Sequence, residues 1–153
     1  ALSVQYAFAS GDNDRYSSTE SSSNTAGKDT GFVGFGSFNG GLAFRPDLSN
    51  LHVMRAGGSI MPFAANTSPR LRRLNAGIKY SYYMKDRSKG GVNSDGVATE
   101  NNRKVGQGID LSVKWKSFSD LSLFAQYGLF MPGAAFEDKK KWHTAMFGLL
   151  LEF

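Results

Sequence analysis

The stretch WHTAMFGLLLEF, residues 142–153, decides the fold class because its side chains alternate and its last residue is aromatic. On an extended strand, successive side chains face opposite sides. One side of this strand carries Ala145, Phe147, Leu149, Leu151 and Phe153. An alternating strand of this length that ends on an aromatic residue is typical of the closing strand of an outer-membrane β-barrel.

Three positions of the same stretch match a barrel-assembly signal. Gly148, Leu151 and Phe153 stand where that signal has its glycine, hydrophobic and aromatic residues. We therefore expect the barrel-assembly machinery to be a partner of this chain.

Five further stretches alternate in the same way, and each has about the 9–11 residues that a tilted strand needs to cross the hydrocarbon. They cover residues 2–9, 52–62, 74–83, 108–116 and 121–131. The sequence therefore predicts an all-β fold, an antiparallel transmembrane β-barrel with about six strands in this chain. We interpret residues 1–153 as one barrel domain or the C-terminal segment of one.

The connections between the predicted strands alternate in length. Residues 63–70 and 117–120 are short, whereas the polar stretches 11–50, 85–104 and 132–141 are long. Outer-membrane barrels have short periplasmic turns and long extracellular loops, so the long stretches are predicted outer loops. Within the first, TGFVGFGSFNGGLAF (residues 30–44) is compatible with a further hairpin or with a loop folded inward as a constriction.

Six strands are fewer than the eight or so with which single-chain bacterial barrels begin. An open sheet edge in lipid leaves backbone groups unpaired, at several kcal/mol each. We therefore expect that Ala1 begins partway through a larger barrel, and that additional strands from the same or other chains complete the sheet.

Composition limits the class of protein and its partners. The chain of 153 residues has no Cys, 18 Gly and 13% aromatic residues, which excludes a disulfide framework and favours β-structure. No run of about 18 apolar residues is present, which excludes a transmembrane helix. The net charge of +5 and the pI near 9.5 favour an anionic partner, for which nucleic acid, lipopolysaccharide and an anionic solute all qualify.

Motifs for enzymes, metals and nucleic acid are weak in this sequence. No nucleophile elbow, phosphate-binding loop or paired carboxylates occur, so we predict that the protein is not an enzyme and needs no cofactor. Asp12 to Asp14 lack the spacing of a calcium loop, and His52 and His143 are isolated. The aromatic stretch 31–38 lacks the two amphipathic helices of an RNA-recognition module, so we expect no nucleic-acid partner.

Basic residues concentrate on the polar side of the predicted strands. Rings of Arg and Lys inside a barrel select anions, although charges there also pair structurally with one another. The predicted pore-lining residues are Arg55, Arg73, Lys79, Asp110, Lys114 and Lys116. At the outer side, the run 139–141 of three lysines is either a contact for lipopolysaccharide phosphates or a solvated charge run.

Three stretches resemble alginate-export-type outer-membrane porins. They are YAFASGD (residues 6–12), LSNLHVMRAGGSIMP (48–62) and VGQGIDLSVKWKSFSDLSLFAQYGLFMPG (105–133). The resemblance covers most of the chain, as the C-terminal third of a larger barrel. It implies a monomeric channel of many strands, with loops folded inside and a basic lumen for acidic polysaccharide. Only four residues are carried over to that positive lining, namely Arg55, Arg73, Lys79 and Lys114.

Three functions follow as hypotheses. The first is an outer-membrane porin that passes or exports anionic solutes, such as acidic saccharides, in contact with the lipid bilayer and lipopolysaccharide. The second is a structural or adhesive barrel with a plugged lumen, which binds through its extracellular loops and does not conduct. The third is a soluble lipocalin-like barrel, whose apolar side chains face inward around a ligand.

Overall fold

The computed structural model describes residues 1–17, 20–32, 34, 38–92 and 98–152. These residues form one antiparallel sheet whose six strands are neighbours in chain order. The strands are β1 (Leu2–Ala9), β2 (Leu51–Ile60), β3 (Leu74–Lys85), β4 (Lys104–Lys116), β5 (Leu121–Pro132) and β6 (Trp142–Leu151). Two one-turn 3-10 helices lie at Ser21–Ser23 and Leu71–Arg73. Among the described residues, no helix is long and apolar enough to cross a membrane.

The register of the strands gives the sheet two chemically different faces. Ile78 of β3 pairs with Leu111 of β4, which pairs with Tyr127 of β5, so apolar residues are aligned on what we call the outer face. One position along, Lys79 pairs with Asp110, and this row lies on the opposite side, the inner face. Because the period is two, the alternation in each strand keeps these faces separate across the sheet.

Large apolar side chains on the outer face are exposed. Leu2 is 94% exposed, Val4 88% and Phe147 81%, and all three alternate with residues of the inner face. A contiguous apolar surface of this kind marks a site of contact with lipid or with another protein. The core of the described residues lies instead under the long loops, around Phe44, Tyr83 and Phe130.

The predicted strands are found, but two of them extend further toward the long loops. β3 continues to Lys85 instead of ending at Tyr83, and β4 begins at Lys104 instead of Gly108. Tyr83 pairs with Gly106 and Met84 with Lys104, so the intervening Val105 is the extra residue of a β-bulge and is buried. The bulge breaks the alternation of β4 alone, which hides the start of that strand from the pattern. β3 keeps its alternation, but its last residue, Lys85, belongs to the polar stretch 85–104 that is predicted as a loop.

Two connections also differ from the prediction. The connection between β2 and β3 runs over residues 61–73 and contains a 3-10 helix, so it is longer than the predicted turn 63–70. In residues 30–44, the described positions contain no strand, and from residue 38 onward the chain packs on the inner face. An inward fold is therefore observed for residues 38–44, whereas residues 33 and 35–37 of this stretch lie outside the described part of the chain.

Closure of the sheet is not seen in the described part of the chain. β1 pairs with β2 and β6 pairs with β5, and neither has a second partner there. The strand total and the source of further strands therefore stay predictions.

The facing of the strands predicts unequal costs for two neighbouring substitutions. Leu111 lies near the middle of β4 on the outer face, so Leu111→Arg should destabilise the protein in lipid by about 2–4 kcal/mol. Ser112→Arg places the same side chain on the inner face and should cost much less. Denaturant unfolding in phospholipid vesicles measures both, and equal costs would contradict the assignment of the faces.

Candidate functional site: a loop-lined cavity on the inner face

Residues 38–46, which we call the inner segment, cross the inner face of the sheet. The carbonyl oxygen of Gly40 accepts a hydrogen bond from the Tyr83 hydroxyl at 2.6 Å and another from the Arg55 guanidinium. The same guanidinium lies over the Phe38 ring, 5.1 Å from its centroid. One backbone carbonyl is thus bound by side chains from two strands, which fixes the first part of the inner segment.

A second attachment lies two residues further along. The backbone N–H of Leu42 donates to Oδ1 of Asp110 at 3.1 Å. Beneath it is Gly128 of β5, where a Cβ atom would lie 2.8 Å from the Cβ of Leu42 and 2.9 Å from the nitrogen of Ala43. Because those distances are too short for real atoms, only glycine at position 128 allows the segment to lie this close to the sheet.

An aromatic cluster holds the end of the inner segment near Pro46. The Phe44 ring is 1% exposed and stacks on Phe130, with centroids 4.2 Å apart and planes 9° apart. The Phe44 and Tyr83 rings meet edge to face, with centroids 4.9 Å apart, and Phe136 and Trp142 complete the cluster. Buried aromatic pairs of this geometry add to the stabilisation from burial alone. This end of the segment is therefore packed firmly at the long-loop end of the sheet.

The inner segment and the strands enclose an open cavity of about 630 Å³. Gly57 and Gly77 contribute no side chain to it, while Arg45 of the segment and Lys79 of β3 bring positive charge. In the part of the chain that the structure describes, neither Arg45 nor Lys79 forms an ion pair or a side-chain hydrogen bond. The carboxylate in the lining, Asp110, accepts the bond from Leu42. The cavity therefore suits a hydrated anionic group.

The predicted pore-lining residues have different surroundings. Lys79 lines the cavity, and Lys114 is exposed on the inner face without an ion pair to a described residue. The Nζ atom of Lys116 lies 3.5 Å from Oε2 of Glu152, and this ion pair is exposed to solvent. Arg73 lies in the 3-10 helix that precedes β3 and is exposed there, outside the inner face of the strand.

Arg55 and Asp110 of the same predicted set bind the inner segment. The sequence pattern did not identify Arg45, because a loop residue has no periodicity that could assign it a face. The only signal was the glycine-rich stretch that allowed an inward fold.

Two residues of the predicted assembly signal lie in β6. Gly148 pairs with Phe124, whose ring covers it, so a Cβ atom at position 148 would require that ring to shift. Leu151 pairs with Leu121 and is 55% exposed on the outer face. Phe153 lies outside the described residues, and the assembly signal stays a prediction.

The first two long loops are joined where they leave the sheet. Asn50 adopts a φ of 49°, and its side chain accepts from the N–H of Arg87 at 2.7 Å and donates to the Arg87 carbonyl oxygen at 3.0 Å. The backbone N–H of Gly11 donates to Asp86 at 2.9 Å. These bonds make the base of both loops one unit, from which the inner segment extends.

Asp12 organises the first of these loops. Its carboxylate accepts from the N–H of Asp14 at 2.9 Å and from the N–H and hydroxyl of Thr30 at 2.8 and 2.9 Å. These bonds, led by the one from Asp14, hold the pKa of Asp12 below its usual 3.8. Among the described residues, no three His, Asp or Glu side chains are grouped closely enough to hold a metal ion.

The lowered pKa of Asp12 predicts a pH dependence of this loop. A carboxyl with a lower pKa in the folded state stabilises that state above its unfolded pKa, and the effect is lost as pH falls through the folded value. Wild-type peptides that contain Thr30 should exchange amide hydrogen more slowly than Asp12→Asn peptides at neutral pH and equally fast in strong acid. Mass spectrometry measures the exchange.

Asp14→Asn is the matched control, because its carboxylate accepts no hydrogen bond from the described residues. A pH-independent difference between wild type and Asp12→Asn would contradict the role of the Asp12 charge.

Burial of Phe44 predicts a large loss of stability on truncation. Phe44→Ala should destabilise the protein by about 3–5 kcal/mol, because removal of the stacked, buried ring leaves a cavity beside Phe130. Phe32→Ala, at a position 48% exposed, is the control and should change stability little. Thermal unfolding in detergent, followed by circular dichroism, compares the two, and similar midpoints would refute the anchoring role of the aromatic cluster.

Comparison of the sequence with known protein families identifies the family of this chain. No curated protein matches the chain. The sequence does match the Alginate export family over residues 1–146, which is nearly its whole length. The chain therefore belongs to the alginate-export family, which is a family of export proteins and not of enzymes.

Proposed function

We propose that the chain forms part of the wall of an outer-membrane channel through which anionic solutes, such as acidic saccharides, pass without chemical change. The two faces of the sheet support this proposal. The outer face presents large, exposed apolar side chains such as Leu2, Val4 and Phe147, and such a surface suits contact with lipid. The inner face presents glycines, serines and Gln126 around an open cavity, beside apolar residues such as Phe38 and Met146.

The excess of unpaired positive charge on the inner side is the observation that supports a preference for anions. Lys79, Lys114 and Arg45 form no ion pairs with described residues, and their three positive charges outnumber the negative charge of Asp110, whose carboxylate also accepts the N–H of Leu42. Fixed positive charge along a wet pore raises the local concentration of anions and repels cations. The net charge of +5 acts in the same direction.

The proposed setting has consequences for partners. The bilayer covers the outer face, and strands beyond β1 and β6 complete the sheet, because unpaired strand edges are costly in lipid. Lys140 and Lys141 are exposed at the long-loop end, and we expect them to contact lipopolysaccharide phosphates. Lys139 is instead used within the loop, where its ammonium donates to the carbonyl oxygens of Gly133, at 2.9 Å, and of Phe136.

One observation favours the alternative of a plugged structural barrel. The inner segment covers part of the inner face and is bound there by side chains of four strands. A plugged barrel would not conduct ions across a planar bilayer, so conductance separates this alternative from a channel. A soluble lipocalin-like barrel needs its apolar side chains inside, whereas the apolar residues here are exposed on the face opposite the inner segment.

The proposal predicts a change of ion selectivity. In a salt gradient across a planar bilayer, the wild-type protein should prefer anions, and Lys79→Glu with Lys114→Glu should shift the reversal potential toward cation preference. The physical reason is that both side chains lie on the inner face, where a change of charge acts on the permeating ion directly.

Lys28→Glu with Lys89→Glu is the matched control, because it makes the same change of net charge at exposed positions of the long loops. The control should leave the reversal potential near that of the wild type. An unchanged potential in the Lys79 and Lys114 variant would dismiss these residues as the selective lining.

A further inference from the structure

We propose that a groove on the outer face binds a glycerophospholipid with an anionic headgroup, and that Arg70 and Arg72 bind the phosphate of that lipid. The groove lies at the short-turn end of the sheet, where β2 connects to β3 and β4 to β5. The proposed site rests on the lipid-covered outer face of the proposed function, but it lies on the side of the sheet opposite the cavity. It joins an apolar groove to a cluster of unpaired arginines, neither of which the channel function uses.

The groove forms because a small residue lies among large ones. Ala125 of β5 pairs with Val113 of β4 on one side and with Phe147 of β6 on the other, so the surface is low in the middle of this row. The next row toward the short turns consists of three large side chains, namely Trp115, Leu123 and Leu149. These side chains border an open groove of about 510 Å³, and its only polar side-chain group is the indole N–H of Trp115. Such a groove suits a hydrocarbon chain.

Trp115 connects the groove to the chain that joins β2 to β3. Its indole N–H donates to the backbone carbonyl oxygen of Arg70 at 3.0 Å. Leu74, which also lines the groove, directly follows the 3-10 helix Leu71–Arg73. Tryptophan at a membrane interface takes this arrangement, with its ring against hydrocarbon and its N–H toward polar groups. The short-turn end of the groove therefore lies beside the arginines that precede β3, at the depth of the lipid headgroups.

Arg70 is oriented in a way that suits a phosphate group. Its guanidinium lies over the Phe118 ring, with Cζ 4.7 Å from the ring centroid. Stacking uses the flat face of the guanidinium, so the N–H donors at its edge stay available, and their fork matches the oxygen atoms of a phosphate. Arg72, two residues along, is also exposed. In the part of the chain that the structure describes, neither arginine side chain forms an ion pair or donates a hydrogen bond.

The charge around the two arginines favours an anionic lipid. Residues 61–73 contain three Arg and no Asp or Glu. Among the described residues at this end of the sheet, Glu152 pairs with Lys116, and Asp120 is the one carboxylate without an ion pair. Positive charge at a membrane surface attracts anionic headgroups over zwitterionic ones. The proposed orientation puts the short turns in the periplasmic leaflet, which consists of glycerophospholipids, so the ligand is a phospholipid and not lipopolysaccharide.

Tryptophan fluorescence reports on the groove directly, because the chain has two tryptophans and only Trp115 lines it. Trp142 lies in the aromatic cluster at the long-loop end, so Trp142→Phe leaves Trp115 as the reporter. This protein is reconstituted in phosphatidylcholine vesicles with a minor fraction of phosphatidylglycerol or of phosphatidylethanolamine, whose acyl chains are brominated and quench on contact. Phosphatidylglycerol should quench Trp115 more strongly than the same fraction of phosphatidylethanolamine. The dependence of quenching on lipid fraction gives the relative affinity.

Substitution of the arginines tests the proposed phosphate contact. Arg70→Gln with Arg72→Gln should lower the relative affinity for phosphatidylglycerol by about tenfold, because each arginine near an anionic lipid surface contributes about fivefold. Lys28→Gln with Lys89→Gln is the matched control, since it removes the same charge at exposed positions of the long loops, and it should leave that affinity unchanged. Equal affinities in the two variants would overturn the role of the arginines.

A second pair of variants tests the groove without a change of charge. Ala125→Phe fills the groove and should reduce the quenching by phosphatidylglycerol to that by phosphatidylethanolamine. Ala145→Phe lies on the same face of β6 but outside the groove, and it should preserve the difference. Native mass spectrometry of the wild-type protein, with both tryptophans in place, should show phosphatidylglycerol retained in preference to phosphatidylethanolamine, so the test does not depend on Trp142→Phe.

The possible failures are distinguishable. If brominated phosphatidylcholine quenches Trp115 but the two minor lipids quench it equally, only the lipid site is overturned. If no brominated lipid quenches Trp115 in a monomeric protein, the outer face does not lie in lipid, and the proposed function is overturned as well. If no lipid quenches it and chemical cross-linking traps a dimer, a second copy occupies the groove, and the lipid site alone is overturned.

Discussion

The in-phase register of the six strands is the constraint on which the rest of the structure depends. Each strand has a side-chain period of two, and each pairing aligns like faces, so one side of the sheet is apolar and the other polar. A slip by one residue in β4 would turn Asp110 to the outer face and Leu111 to the inner face. The single irregularity, the bulge at Val105, lies at the long-loop end, where it directs a buried side chain into the core without disturbing the faces below.

The inner segment depends on this register and explains several otherwise unrelated residues. Arg55, Tyr83 and Asp110 come from three strands, and the register brings them to one side, where they bind the backbone of the segment. A charge beside a barrel interior needs water, a counter-ion or a hydrogen-bond partner. Two of the charged residues in this region use backbone groups as partners. That arrangement leaves Lys79 and Lys114 of the inner face without counter-ions among the described residues, which is the basis of the proposed anion preference.

Much of the sheet could be predicted from alternation alone, and the misses have identifiable causes. The predicted β1 has the observed bounds. The prediction for β4 is too short because the bulge at Val105 interrupts its period, and the prediction for β3 is too short because its end merges with the polar stretch 85–104. Arg73 lies in a 3-10 helix before β3 and not within the strand, so strand periodicity does not assign its face, and its place in the pore lining stays a prediction. The candidate site was predicted only in part. Lys79 and Lys114 follow from strand periodicity, whereas Arg45 lies on a loop, where side-chain direction depends on contacts distant in sequence.

The sequence by itself determined the antiparallel β-sheet, its two faces and the family, because a period of two and its polar connections are local properties of the chain. Only the tertiary structure decided which charged residues are free. Arg55, Asp110 and Lys79 all lie on the inner face of their strands, and no local sequence pattern distinguishes the bound residues from the free one. The difference arises because residues 38–46 return across the sheet and bind two of the three, and the close approach at Gly128 and the burial of Phe44 determine where that segment lies.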